Sequence, residues 1–149
     1  RHKPRAFGMT AIREMFEETG LIAGRSAEFP GQPAPDWAKY AAQGAAPCLE
    51  NLTFIGRAIT PPYRPKRFDA RFFMAEAEDV LIDERPAIDG AELHDLQWVT
   101  LKDAMSLDLP NVTRFMIGEI DERLKAGDPE SLDPPFLRWT PGGHLQDRI

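Results

Sequence analysis

The nine residues from Arg13 to Leu21, R-E-M-F-E-E-T-G-L, constrain this chain more than any other stretch. At 100° per residue, Glu14, Glu17 and Glu18 share one stripe of a helix. Ile12, Met15, Phe16 and Thr19 share the opposite one, so one side can enter a core while the other carries three carboxylates. Arg13 precedes Glu17 by four residues and can hold its carboxylate in place. The spacing predicts a helix over Ala11 to Thr19, starting at Pro4 or at Thr10. Gly20 suits the left-handed conformation that commonly ends helices.

Three carboxylates set this closely repel one another by about a few tenths of a kcal/mol per pair in water, and by more when shielded. A divalent cation reverses the sign. Magnesium takes oxygen ligands, keeps some waters, and is usually completed by phosphate oxygens of a substrate. Such a face is a metal platform, or else a solvated acidic surface of the kind many helices present.

Composition narrows the partners. Eighteen Lys and Arg against 24 Asp and Glu leave a formal charge of −6, which argues against a surface built to coat nucleic acid. A small anionic substrate remains compatible if a cation or a local Arg cluster offsets that charge. The length of 149 residues fits a single domain over 1–149. No apolar run reaches the roughly 20 residues that cross a bilayer, so no membrane role is expected. The single cysteine, Cys48, excludes an internal disulfide and a cysteine zinc cage, and His2, His94 and His144 have no metal-ligand spacing. A reducing cytoplasm is the simplest compartment. Fourteen prolines predict long irregular connections.

Residues 23–50 read as an Ala-, Pro- and Gly-rich surface excursion with a short helix at Asp36 to Ala42, anchored by Trp37, Tyr40 and Leu49. Strands are predicted at Leu52 to Thr60, Ala70 to Ala75, Leu93 to Thr100 and Phe136 to Thr140. An acidic loop runs through Gly90. Short and long helices are predicted at Leu101 to Met105 and Asn111 to Lys125, the latter with Val112, Phe115, Met116, Ile120 and Leu124 on one side. Pro141-Gly142-Gly143 reads as a turn. The order α–β–β–β–α–β suggests a mixed sheet with helices packed on it.

The string Arg13–Leu21 resembles the second half of the Nudix box, Arg-Glu-apolar-any-Glu-Glu-any-Gly-apolar, at all seven defined positions. A given window matches that pattern by accident about once in 10⁷. In the contiguous pattern a Glu lies eight residues before Arg13, where this chain has Arg5, and a Gly stands six residues earlier still. The departure leaves two alternatives: a missing carboxylate, or an insertion that separates the glycine-rich turn from the helix. The second is favoured here. The chain opens at Arg1 and enters its helix with no strand before it, so it is expected to be the carboxyl-terminal part of a longer product. R-A-I-T-P-P (Arg57 to Pro62), R-F-D-A-R-F-F (Arg67 to Phe73) and L-Q-W-V-T-L (Leu96 to Leu101) are similar to a split-box branch that includes coenzyme A diphosphatases.

The resemblance implies an α/β (α+β) fold, a Nudix-like mixed sheet sandwiched between helices without its N-terminal strands. It implies hydrolysis of a nucleoside diphosphate linked to another group, with Mg²⁺, or Mn²⁺ in its place, as cofactor. Its partner is then a small-molecule nucleoside diphosphate derivative rather than a nucleic acid polymer, and a homodimer is compatible. The metal ligands would be Glu14, Glu17 and Glu18. Glu14, Arg13 and Glu92 would be the catalytic group, with Arg13 orienting a glutamate, Glu14 a ligand or the base, and Glu92 (Glu84 second) a further carboxylate from a later loop. Arg67 and Arg71, from the basic run that also holds Arg57, Arg64 and Lys66, would contact phosphates; equally, these charges could balance the acidic segments. Trp98, Trp139 and Phe136 suit a core more than a base stack, and Trp37 is a lid candidate. The alternative function is a non-catalytic Nudix-fold module that binds a nucleotide or regulates a partner.

Overall fold

A computed structural model describes residues 3–86, 92–93, 96–140 and 142–149. They group into two compact units, Arg1–Leu52 with Ala75–Gln97, and Thr53–Met74 with Trp98–Ile149.

The first unit is organised by α1, Lys3–Thr19. It starts at the earlier of the two expected points, with Pro4 in the first turn, where no intrahelical N–H is lost. Gly20, at φ +75°, ends it, and its N–H donates to Phe16 O at 2.8 Å. The apolar stripe is buried as its spacing demands. Ile12 and Phe16 form a core with Ile22, Ala23, Tyr40 and Ala45.

The segment expected to be a surface excursion supplies half of that core. Strands β1 (Arg25–Ser26) and β2 (Ala45–Ala46) pair antiparallel. Between them lie a 3₁₀ turn at Pro35–Trp37 and α2, Ala38–Ala41. Phe16 meets Tyr40 edge-on at 5.4 Å between ring centroids, and Tyr40 meets Trp37 at 5.2 Å. Trp37 also packs on Phe29, so it is an anchor of the core and not a free lid. The expected acidic loop contains a further helical turn, α3, Ala77–Val80, and Leu81 bridges to Ala23.

Tyr40 is fully buried and its hydroxyl donates to Ala23 O at 2.7 Å. Burial pushes its pKa up to about 12, with Cys48 adding a smaller increment. Because the folded value exceeds the unfolded one of about 10, the stabilisation is intact below pH 10 and lost as pH rises toward 12. The expected loss is about 2 to 3 kcal/mol across that window, and Tyr40→Phe should abolish it. Tyrosinate absorbance checks this directly, because the chain has only two tyrosines and Tyr63 is exposed. Ionisation of the Tyr40 phenol near pH 10 in the folded protein would refute the expectation.

The second unit is a four-stranded mixed sheet in the order β4-β3-β5-β6. Its strands are β3 (Thr53–Ile59), β4 (Asp69–Met74), β5 (Pro135–Thr140) and β6 (Gly143–Arg148). β3 and β5 run parallel, and the other two pairs are antiparallel. β5 was expected to be the last strand. Instead the predicted glycine turn folds the chain back as β6, so the turn is that of a hairpin.

Helices α4 (Leu101–Ser106) and α5 (Asn111–Ala126) complete this unit. Thr100 caps α4 by accepting from Asp103 N at 3.1 Å. α5 approaches the sheet where Met116 meets Gly56; a Cβ on Gly56 would lie 2.9 Å from Met116 Cε and Sδ. The buried side of α5 is the expected one, with Met116 buried and Val112, Phe115 and Ile120 half-buried, but two charged residues are buried in it as well. It carries Met116, Glu119 and Arg123, while Leu124 is exposed. Glu119 is 5% exposed and Arg123 1%, an ion pair of 3.1 Å spaced i, i+4. Arg148 of β6 joins Glu119 at 2.8 Å.

Of the strand expected over Leu93 to Thr100, residues 96–100 have no regular structure, and Trp98 is 66% exposed. Alternating side chains suit a strand, but a strand also needs a neighbour for its backbone groups. No ladder partner for this segment lies among the described residues. Trp98 is therefore not the core residue its type suggested.

Candidate functional site: the acidic face of α1

Glu14 and Glu18 are exposed on α1 and Glu17 is half-buried, all on the side away from Ile12 and Phe16. Arg13 gathers two of them. One guanidinium nitrogen pairs with Glu14, and another donates to Glu17 Oε2 at 2.5 Å. Asp36 stands 3.7 Å from Arg13 Nε. The bond to Glu17 is the main reason the Arg13 pKa is raised above its usual value, with Coulombic attraction from Glu17, Glu14 and Asp36 adding to it. A single positive charge thus already sits among three carboxylates. Asp36 was not anticipated. It arrives from the 3₁₀ turn, and no local signal in the sequence links it to Arg13.

The carboxyl end of α1 is closed by residues from far along the chain. Leu93 N donates to Glu18 O at 2.8 Å, and Glu92 N reaches Glu17 O at 3.4 Å. Carbonyls at the end of a helix have no partner within it, so a passing backbone that supplies N–H groups is held there. This brings the backbone of Glu92 beside Glu17, with the Glu92 side chain exposed. Glu84, the second choice, is also exposed, and its neighbours Asp83 and Arg85 pair with each other at 2.8 Å. Asp89, another residue of the acidic run, lies outside the described residues, as do His2 and His94.

The donor set suits a hard divalent cation: Glu14, Glu17, Glu18 and Glu92 offer carboxylate oxygens, the ligand type Mg²⁺ takes. As placed, no group of three or more His, Cys, Asp or Glu side chains among the described residues is close enough to hold a metal ion. Arg13 occupies the space between Glu14 and Glu17, and these side chains would have to turn from it to receive a metal.

The basic run lies in the second unit and divides into two parts. Arg57 grips Asp69 through two bonds, 2.7 and 2.8 Å, and stacks over Phe136 at 4.5 Å. Arg71 pairs with the same Asp69 at 2.9 Å. These bonds, with the Arg57 contribution largest, hold the Asp69 carboxyl below its usual range. Arg57 and Arg71 both pair with Asp69 within their own strand pair. Arg67 is exposed, with one long contact from Nε to Thr60 O at 3.4 Å. Trp139 packs edge-on against Tyr63 at 6.0 Å.

Over 112 residues the chain is 29% identical to the putative nudix hydrolase 7 of Caenorhabditis elegans. The alignment covers 66% of this chain but only 36% of that protein, so the chain matches about a third of its relative's length. No family model matches the chain, and no solved structure matches it. The relative's name carries the family that Arg13–Leu21 resembles, and the helices with a mixed sheet are consistent with a Nudix-like α+β fold. No helix among the described residues is long and apolar enough to cross a membrane.

Proposed function

We propose that this chain carries the site of a Nudix-type hydrolase that cleaves the pyrophosphate bond of a nucleoside diphosphate linked to another group, with Mg²⁺ as its ion. The observation that carries the reading is the acidic face of α1, which presents exposed Glu14 and Glu18 and half-buried Glu17 together on a helix anchored by its other side. Its similarity to a protein named as a nudix hydrolase supports the same class.

In the reaction water adds to one phosphorus, the P–O–P bond breaks, and the other phosphate leaves with the bridging oxygen. A bound divalent ion supplies charge neutralisation on the phosphate oxygens and a lower pKa for coordinated water. Glu17 and Glu18 would hold the ion, and Glu14 would complete the set or take the proton from water. Arg13 would orient Glu17, as it does here at 2.5 Å. Glu92, held at the end of the same helix, is the further carboxylate able to accept a proton. Of the two expected phosphate contacts, Arg67 has an exposed guanidinium and Arg71 is engaged with Asp69, which favours Arg67.

The test is turnover of a panel of nucleotide sugars, dinucleotides, nucleoside triphosphates and coenzyme A. Hydrolysis is expected to require Mg²⁺ and to stop on chelation; turnover indifferent to chelation overturns the reading. The second reading, a non-catalytic nucleotide-binding module, draws support from the lack of convergence of three metal-ligand side chains among the described residues. Nucleotide binding without turnover at any Mg²⁺ concentration would favour it.

A further inference from the structure

Arg13 stands among three carboxylates and bonds only two of them. One terminal guanidinium nitrogen donates to Glu17 Oε2 at 2.5 Å and the other donates to Glu14. Its Nε lies 3.7 Å from Asp36 Oδ2, inside ion-pair range and too far for a hydrogen bond. Among the described residues neither Arg13 Nε nor the Asp36 carboxylate has a hydrogen-bond partner.

The core of the first unit holds Asp36 in this place. Pro35 fixes one backbone angle ahead of it, and the 3₁₀ turn closes where Ala38 N donates to Pro35 O. Trp37, next in the chain, packs on Phe29 at 5.6 Å and on Tyr40 at 5.2 Å. Tyr40 in turn meets Phe16, on the same helix as Arg13. One aromatic cluster therefore anchors both ends of the gap between Arg13 and Asp36, while the Asp36 side chain itself is 56% exposed and free to accept.

Arg13 obstructs the face it organises. Glu14 and Glu17 have to turn from it to receive a divalent ion, and that ion repels the guanidinium. Arginine keeps its charge at any ordinary pH, so it needs another anion within reach. Asp36 is that anion, and a shift of about 1 Å brings Nε to hydrogen-bond length from it. We propose, on the reading of α1 as the metal-bearing face, that Asp36 is a positioning residue that takes Arg13 from Glu14 when a divalent ion binds. With Nε on Asp36, the guanidinium clears Glu14 and keeps one oxygen of Glu17, whose other oxygen is left for the ion. Asp36 thereby raises the affinity of the face for the ion without touching it.

The experiment is titration calorimetry of the full chain with Mg²⁺ alone. Asp36→Ala is expected to weaken Mg²⁺ binding about threefold to tenfold, between the worth of an exposed ion pair and that of a charge-assisted hydrogen bond. Asp36→Glu keeps the carboxylate and should recover much of that loss. In an Arg13→Ala background, Asp36→Ala should change the Mg²⁺ Kd by less than about twofold, because no guanidinium is there to receive. By NMR, the Arg13 Nε–H should exchange more slowly with solvent once Mg²⁺ is added to the unaltered chain, and should not do so in Asp36→Ala. Circular dichroism confirms that each variant is folded. An Mg²⁺ affinity unchanged by Asp36→Ala overturns the proposal and leaves the metal face standing. An equal loss with and without Arg13 also overturns it, since Asp36 would then act through its charge alone. Failure of the unaltered chain to bind Mg²⁺, or binding that survives Glu17→Gln, removes the metal face itself and the role of Asp36 with it.

Discussion

Replacing Glu119 with Ala is expected to destabilise the second unit by about 3 to 5 kcal/mol, the range for breaking one side of a buried ion pair. Glu119 is the shared counter-charge of Arg123 and Arg148, and it joins α5 to β6. The two arginines differ in what they can do without it. Arg148 has 43% of its side chain exposed and still donates to Asp133 O, so water can solvate it. Arg123 is dry. It retains only Pro129 O, at 2.5 Å, and its Nε has no hydrogen-bond partner among the described residues. The variant would strand that charge. Glu119→Gln keeps an acceptor for both arginines and should cost less, while Glu119→Leu with Arg123→Met should recover much of the loss, because a packed apolar pair needs no counter-charge. Urea unfolding with hydrogen exchange on α5 and β6 reads the effect. A cost below about 1 kcal/mol for Glu119→Ala would mean that water reaches Arg123.

That pair also marks where the sequence stops being readable. α1 was legible because its two stripes obey one rule over several turns, and Ile12 and Phe16 are buried where their spacing puts them. α5 was legible as a helix and in its apolar side, but not in the two charges buried on that side. Glu119 and Arg123 read as solvent-facing charges, and only the pairing with Arg148 from β6 lets them be buried. The same limit applies to Ala45, while Tyr40 was legible as an anchor but not as the partner of Phe16. A Pro- and Gly-rich segment looks like surface, yet aromatic contacts with Phe16 and Trp37 make it core. For the strand expected over Leu93 to Thr100 the error has the opposite sign: local alternation was present, and no pairing strand lies among the described residues. At the candidate site the glutamates and Arg13 were visible from spacing alone. Asp36 and the docking of Glu92 on the end of α1 depend on contacts between residues far apart in sequence.

Glu17→Gln is expected to lower kcat/KM for the pyrophosphate substrate by about 100-fold or more. The size follows from the several kcal/mol of charge stabilisation a metal supplies in such a reaction, since each 1.36 kcal/mol is a factor of ten. The amide keeps the shape of Glu17 and an oxygen for Arg13, so the fold should be undisturbed while one negative charge leaves the face. Mg²⁺ binding should weaken in step. For the unaltered chain, Mg²⁺ at about 100 times its Kd should raise stability by about 2.7 kcal/mol by mass action, and the variant should show little of that rise at the same concentration. Arg13→Ala separates the two roles of the arginine. Glu14 and Glu17 lose the guanidinium now between them, so the metal-free protein should be less stable. Added Mg²⁺ should then stabilise it more than it stabilises the unaltered chain, because no ion pair has to be displaced first. Turnover should nevertheless fall, since Glu17 is no longer oriented. Thermal melts with and without Mg²⁺, run beside the assay, distinguish these outcomes. If the Mg²⁺ response survives Glu17→Gln intact, the metal does not bind on α1, and the carboxylates there are a solvated face held together by Arg13.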